Sequence, residues 1–335
     1  MDGSEYEADG WRIAVLSGGA SAEREISLES GSNVASALIR GGHAVQVIDP
    51  ASTQLLAVDW SQFDLAFIAL HGAFGEDGGI QELLDGVGLP YTGSRAAASR
   101  LAFHKSDAKE RFLLAEVPTP SSTLIRADTS EPMRRKVAER LGYPLVVKPN
   151  AQGSSLGVSL IQSAEQLPAA LELAFRFGSE VLLETALLGE EWTVPVLGRQ
   201  ILPPIRISTR RAFFDFQAKY LDDETEFAFA VATPTPTLRA IEDAASRAVK
   251  ALGTSGIARV DVRLDLQGRP FVLEVNTIPG MTSHSLVPKS AARLGWNLTD
   301  LCEQAVRQAL SDFTGAENRY ARHRPHRTRR ILRVT

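Results

Sequence analysis

The chain has 335 residues, 44% of them apolar and 23% charged, with 36 Lys and Arg against 40 Asp and Glu for a formal net charge of −4. That length exceeds one ordinary core and predicts two or three domains, while the composition excludes a mostly disordered or fibrous chain. The single cysteine, Cys302, excludes an internal disulfide and a cysteine-built metal site. The net charge carries no whole-chain nucleic-acid footprint, no apolar run reaches membrane-spanning length, and the acidic start (Asp2, Glu5, Glu7, Asp9) lacks the basic-then-apolar pattern of a secretory signal. The expectation is a cytoplasmic globular protein that contacts neither membrane nor nucleic acid.

The first hundred residues alternate strand and helix patterns. Arg12–Leu16 predicts a strand, then Ser17-Gly18-Gly19 a turn and Glu25–Arg40 a helix ended by Gly41-Gly42. Val45–Ile48 and Leu65–Leu70 predict strands and Ile80–Val87 a helix. This order implies a parallel sheet with ligands near the carboxyl ends of its strands, where Gly18–Glu25 and His71–Gly79 fall. A second unit opens near Ser94 with a helix through about Glu116, stopped by Val117-Pro118-Thr119-Pro120. A helix over Glu131–Leu141, strands over Leu145–Lys148 and Val158–Ile161, a helix over Leu167–Phe177 and a strand over Val181–Glu184 follow. A third unit opens near Gly189 with a strand over Trp192–Val196. Ala212–Phe229 is aromatic and acidic without clean periodicity. Thr237 is placed to cap a helix whose Leu238, Ile241, Ala245, Ala248 and Leu252 share one face. A hairpin of Ala258–Asp265 and Pro270–Asn276, a polar loop over Thr277–Ser285 and a final helix to about Phe313 close the pattern. From Arg319 to Thr335 there are seven arginines, two histidines and no acid, which leaves 29 basic against 40 acidic residues elsewhere. That segment predicts a solvated, flexible tail; contact with nucleic acid or anionic lipid is the competing reading.

Chemistry concentrates in three places. In the hairpin, apolar Ala258, Val260, Val262 and Leu264 alternate with Arg259, Asp261, Arg263 and Asp265. A turn centred on Gln267-Gly268 pairs residues whose numbers sum to about 535, setting Asp261 opposite Glu274 and Arg259 opposite Asn276. Facing carboxylates repel, so they call for a cation or a shared proton, and oxygen ligands suit Mg²⁺ with substrate phosphates. A solvated acidic sheet face is the alternative. The second place is Lys148 at a strand end, followed by Gly153, Ser154, Ser155 and Gly157, whose exposed amides and hydroxyls suit phosphate oxygens. It joins two strands, so it is not a Walker loop, and an ordinary glycine-rich hairpin loop is the alternative. The third is Gly280–Leu286, a hydroxyl-rich loop directly after the acidic strand. Together these predict nucleotide-dependent chemistry and leave the acceptor open.

The residues resemble the D-alanine–D-alanine ligase family of the ATP-grasp superfamily. The resemblance rests on Val15–Gly19 with Ala22–Leu28, Ala69–Gly72 with Gly75–Gly78, Leu89–Ser94, Val147–Pro149, Gly153–Gly157, Ala218–Leu221, Arg259–Val262, Glu274–Thr277 and Pro279–Pro288. These segments run in the family's order from about Trp11 to Phe313. The resemblance implies an α/β fold, an ATP-grasp fold preceded by an N-terminal parallel α/β domain. The corresponding units are residues 1–93, 94–188 carrying the phosphate loop, and 189–316 carrying the metal ligands, with a basic tail over 317–335. It implies ATP-dependent joining of two D-alanine molecules through a D-alanyl phosphate, for peptidoglycan precursor synthesis in the cytoplasm, by a homodimer. Lys105, Lys148, Ser154, Ser155, Gly157 and Lys219 would hold ATP phosphates, Glu184 and Leu187 the adenine side, and Glu191 the ribose. Asp261, Glu274 and Asn276 would ligate two Mg²⁺ ions, with Mn²⁺ as a substitute. Glu23 and Ser285 would meet the first substrate's ammonium, Arg259 and the Gly280 amide the oxyanion, and Ser154, Ser285 and Leu286 the second D-alanine, with His71 at that pocket. Tyr220 would close the site beside Lys219 and favour D-alanine over D-lactate as acceptor. The segment Glu184-Thr185-Ala186-Leu187 departs from the family's usual lysine and aromatic, and Asn150 and Ile278 also differ from common choices. The alternatives are a D-alanine–D-lactate or other ATP-grasp carboxylate–amine ligase, a catalytically silent nucleotide-binding regulator, and an anionic-polymer binder acting through its tail.

Overall fold

A computed structural model of the chain describes residues 10–209, 226–229 and 235–321. It contains three sheets. In the first, β1 (Arg12–Leu16), β2 (Ala44–Ile48) and β3 (Leu65–Ile68) run parallel in the order β2-β1-β3. Its strands are short, and β3 and the buried part of β1, Ile13–Leu16, are continuously apolar, as buried parallel strands must be when helices cover both faces. Helix α1 (Arg24–Arg40) connects β1 to β2, and α2 (Gly79–Val87) follows β3. Gly42, at φ +88°, supplies the left-handed residue after α1, whereas Gly41 stays right-handed at φ −73°.

The second sheet is antiparallel, in the order β4-β7-β5-β6, from β4 (Ser122–Arg126), β5 (Leu145–Pro149), β6 (Ser159–Ile161) and β7 (Glu180–Thr185). Strand β4 carries no expected strand signal; its sequence S-T-L-I-R is a short edge strand that follows the proline-rich linker. Helices α5 (Glu131–Leu141) and α6 (Leu167–Phe175) cover one face through Val137, Ala138, Leu167, Leu171 and Ala174. The third sheet has the order β11-β10-β8-β12-β13, with β9 on β8: β8 (Glu191–Leu197), β9 (Gln200–Ile201), β10 (Ile205–Ser208), β11 (Glu226–Phe229), β12 (Ile257–Leu264) and β13 (Pro270–Asn276).

The predicted helix from Ser94 to Glu116 is two helices, α3 (Ala96–Phe103) and α4 (Lys105–Leu114), broken at His104, which has extended φ/ψ. Asn150 fixes the break: its carbonyl accepts from the Lys105 amide at 3.0 Å and its Oδ1 from the Ser106 amide at 2.8 Å, satisfying donors that a helix start leaves open. Helix α7 (Thr235–Leu252) begins two residues before Thr237 and buries Ile241, Ala244, Ala245, Ala248 and Leu252, spaced three or four apart on one face. After Ser285 there are again two helices, α8 (Leu286–Ala292) and α9 (Leu298–Ala321). Helix α9 extends past Phe313 and takes in Arg319 to Ala321; residues 322–335 of the expected tail lie outside the described residues.

The apolar clusters do not follow the expected segment boundaries. Ala102 of α3 and Ala108 and Phe112 of α4 share a core with Trp192, Val260 and Ile241, so both helices belong with the third sheet rather than the second. Leu301, Cys302, Ala305 and Val306 of α9 share a core with Ile13, Val34 and Leu38, so α9 packs on the unit formed by β1 and α1. The reason is geometric: a short parallel sheet exposes two apolar faces, and while α2 packs on the face bearing Ala14 and Ile68, the face bearing Ile13, Val15 and Phe67 is shared by α1 and α9.

Candidate active site

The acidic hairpin has its predicted pairing at the end that matters. Arg259 lies opposite Asn276 and Asp261 opposite Glu274, but the register then shifts so that Val262 faces Val272. Leu273 is therefore the extra residue of a bulge, and the constant sum fails toward the turn. Arg259 grips Asp261 with two bonds, at 2.9 and 2.7 Å, and the Thr193 hydroxyl donates to Asp261 at 2.7 Å. The Lys105 ammonium stands 3.1 Å from Glu274 and donates to the Gln152 carbonyl at 2.7 Å. Asn276 Oδ1 accepts from the Ile278 amide at 2.9 Å, which stiffens the turn leading to Gly280.

Across the cleft, Lys148 and Glu184 are diagonal neighbours on the β5–β7 ladder. Their charges meet at 2.9 Å, and Lys109 of α4 approaches the other Glu184 oxygen at 2.5 Å. All three side chains are buried. Burial alone would raise the Glu184 carboxyl, but the two ammoniums hold it below its ordinary value. Burial draws Lys109 down to about 8, with Glu184 opposing and Lys148 assisting.

The loop after Lys148 carries Ser154 at φ +51°, Ser155 at φ +56° and Gly157 at φ +74°. Two consecutive serines in the left-handed region are uncommon, and such backbone persists only where surroundings impose it. One constraint is visible: the Ser154 hydroxyl bonds the Glu23 carboxylate of the first unit. Glu23 precedes α1 and is aimed by the turn before it. Asp49 accepts from the Gly19 amide at 2.9 Å and from Arg24 at 2.6 Å, which fixes the left-handed Gly18-Gly19 turn.

Two adjoining cavities result. One is lined by Lys105, Lys148, Ser155, Glu184, Leu187, Glu191, Asp261 and Glu274, among others. The second is lined by Glu23, His71, Glu76, Lys105, Ser154, Arg259, Glu274, Asn276 and Gly280. Lys105 and Glu274 line both. Among the described residues, the expected adenine-side, ribose and phosphate residues thus gather in the first cavity, except Ser154, which lines the second, and Gly157, which packs against Phe177 and Pro149. Ser285 and Leu286 line neither. The Ser285 hydroxyl accepts from the Thr282 amide at 2.9 Å, beneath Gly280, and Leu286 is buried with Ile205 and Ile207. Lys219 and Tyr220 lie outside the described residues.

The residues missed by sequence reasoning are Glu76, Asp49, Lys109 and Thr193. Glu76 is buried in the second cavity 3.5 Å from His71; burial raises its carboxyl, the His71 contact opposes that, and Glu23 adds to it. Its signal was the acidic pair Glu76-Asp77 after a strand end. Among the described residues no group of three His, Cys, Asp or Glu forms a metal cluster; the expected ligand set is two carboxylates and an amide. Its oxygens come from paired strand positions already matched by Arg259 and Lys105, a donor chemistry that fits a hard divalent cation.

Two antiparallel sheets enclosing a lysine-lined cleft, with a parallel sheet bringing a second polar cavity to its mouth, define an ATP-grasp ligase. Residues 115–307 match the family model described as "D-ala D-ala ligase C-terminus" and residues 52–94 the one described as "D-ala D-ala ligase N-terminus". The D-alanine–D-alanine ligase of Ectopseudomonas mendocina is 43% identical over 305 residues, 91% of this chain and 95% of that protein. That of Aromatoleum aromaticum is 42% identical over 302 residues, 90% and 97% of the two chains. The crystal structure of the D-alanine–D-alanine ligase from Bacillus anthracis superposes with a TM-score of 0.82 at 33% identity, covering 92% of this chain and all of that one. A structure of the Bacillus anthracis ligase complexed with ATP gives 0.80 at 30% identity over 92% and 100% of the chains. The chain belongs to the D-alanine–D-alanine ligase family.

Proposed function

We propose that this chain is an ATP-dependent D-alanine–D-alanine ligase, forming D-alanyl-D-alanine, ADP and phosphate for peptidoglycan precursor synthesis. The observation that carries the reading is the junction of the two cavities at Lys105 and Glu274, where a nucleotide's terminal phosphate and an amino-acid carboxylate would meet. Lys105 and Lys148 present ammonium groups to the phosphates, and the amides and hydroxyls of the Ser154–Gly157 loop cover them. Glu23 accepts the ammonium of the first D-alanine, oriented by Ser154 and the Asp49-braced turn. Attack of that substrate's carboxylate on the terminal phosphate gives a D-alanyl phosphate; the second amine displaces phosphate through a tetrahedral centre. The Arg259 guanidinium and the Gly280 amide stabilise the oxyanion that develops there. Ser285 acts from behind Gly280, shaping the loop that presents this amide, and Leu286 seats α8 below it. His71 holds the wall of the acceptor side. Asp261, Glu274 and Asn276 would hold Mg²⁺ or Mn²⁺, which neutralises phosphate charge when bound. Lys219 and Tyr220 belong to the same proposal as closing residues that keep water from the acyl phosphate. Work in the cytoplasm and as a homodimer is part of it; sedimentation of the full chain tests the latter.

The test is an assay of purified protein with ATP, Mg²⁺ and D-alanine, scored by mass for the dipeptide, with L-alanine and D-lactate as controls. Absence of D-alanyl-D-alanine, or preference for D-lactate at neutral pH, overturns the reading.

A further inference from the structure

Lys109 has no part in the chemistry above, yet it is 3% exposed and its ammonium meets the Glu184 carboxylate on the oxygen that Lys148 leaves free. A lysine is rarely buried unless paired, and here two lysines share one acid. Lys109 also donates to the Thr119 hydroxyl at 2.6 Å and the Pro120 carbonyl at 3.2 Å, while Thr119 donates to the Val272 carbonyl of β13 at 2.8 Å. The side chain therefore spans from β7 of the second sheet to the linker anchored on the third, at the base of the nucleotide cleft.

The charge balance is the informative part. A Lys148–Glu184 pair by itself is neutral, and a neutralised ammonium is a poor phosphate ligand. With Lys109 present the buried triad carries one positive charge in excess, in surroundings where charge is weakly screened. Burial without a phosphate-bearing ligand would favour losing that excess cation, and the fold retains it. We infer that Lys109 is a positioning residue for the nucleotide: by sharing Glu184 it leaves Lys148 a net positive charge to present to the phosphates. This rests on the assignment of the first cavity to ATP.

The experiment titrates full-length protein calorimetrically with ADP and with adenosine. Wild type should bind ADP the more tightly; if it binds neither, the ATP assignment itself falls. Given wild-type binding, Lys109→Met should weaken ADP on the order of tenfold or more while adenosine stays within about twofold. The double variant Lys109→Met with Glu184→Gln removes one charge of each sign, restores the excess and should bring ADP back to within about threefold of wild type. Equal losses for ADP and adenosine, or a double variant no better than the single, overturn the inference and leave Lys109 a packing residue. If Lys109→Met does not fold, the double variant, which buries no unpaired carboxylate, decides alone: ADP binding tenfold weaker than wild type overturns the inference.

Discussion

Lys105 and Glu274 form an ion pair of 3.1 Å at the meeting point of the two cavities, and the proposed function gives each a second task there. A bound polyphosphate would compete for the lysine, and a divalent cation for the carboxylate. The pair balances charge in the absence of both. Glu274→Ala should lower dipeptide formation by about a thousandfold or more, measured by mass with ADP release in parallel. Near-normal turnover would remove the metal assignment.

Two glycines separate stability from binding. A Cβ at Gly256 would lie 2.6 Å from the Gly93 backbone, and Gly256 has φ +66°, so nothing can yield cheaply. Gly256→Ala should cost about 1–3 kcal/mol in urea unfolding. A Cβ at Gly153 would lie just as close, 2.6 Å, but to the Glu23 carboxylate, the end of a flexible side chain. Gly153→Ala should therefore leave the unfolding midpoint nearly unchanged and raise the KM for D-alanine several-fold.

Asp49 lies well below the usual carboxylate range, chiefly through its bonds to Arg24, against the opposing effect of burial and with help from the Gly19 and Ala51 amides. It binds its proton less tightly folded than unfolded. Its stabilisation is thus complete above the ordinary value of 3.8 and is lost as pH falls toward the folded value. With Arg24 37% exposed, Asp49→Asn should cost on the order of 1 kcal/mol at pH 7. The gap between wild type and variant in urea unfolding should narrow below pH 3.8; a constant gap would assign the loss to something other than this charge.

Nucleotide affinity should depend on pH through the buried triad. Lys109, drawn down to about 8 by burial and facing Glu184, Lys148 and, farther off, Glu274, loses its proton as pH rises through that value. The excess positive charge goes with it, so the Kd for ADP should rise between pH 7 and 9.5, roughly spanning that value. Lys109→Arg keeps its charge to higher pH and should flatten the profile; a variant profile that matches wild type contradicts the link.

Alternation alone exposed the β12–β13 hairpin, and the turn position was enough to set Asp261 against Glu274. The same arithmetic failed at Leu273 because a one-residue bulge leaves no compositional mark. Strand β4 carried no signal because S-T-L-I-R has no alternation and only two apolar residues, whereas β1, of the same length, has four in a row. The expected roles of Lys105 and Glu23 came from resemblance rather than pattern, whereas Lys148 was marked by its place at a strand end before a glycine- and serine-rich loop. Lys109 and Asp49 were illegible for a common reason: a charged residue on a helix or after a strand ordinarily means solvent, and only tertiary contacts with Glu184 or Gly19 give these two another meaning. Family resemblance did not reveal that α3 and α4 belong with the third sheet, since order along the chain does not encode which core a helix enters.

Helix α9 supplies Leu301, Cys302, Ala305 and Val306 to the core formed by Ile13, Val34 and Leu38. A unit built on β1, β2 and β3 is thus finished by a helix that a translating ribosome makes only after the second and third sheets. Until α9 emerges, part of the face that α1 also covers stays wet, and the Glu23 turn rests on an incomplete support. A fragment ending near residue 285 would retain the phosphate loop and the acidic hairpin yet lack this wall. Vectorial synthesis therefore gives the second and third sheets a head start, and the cavity at Glu23 takes shape only once α9 has been made.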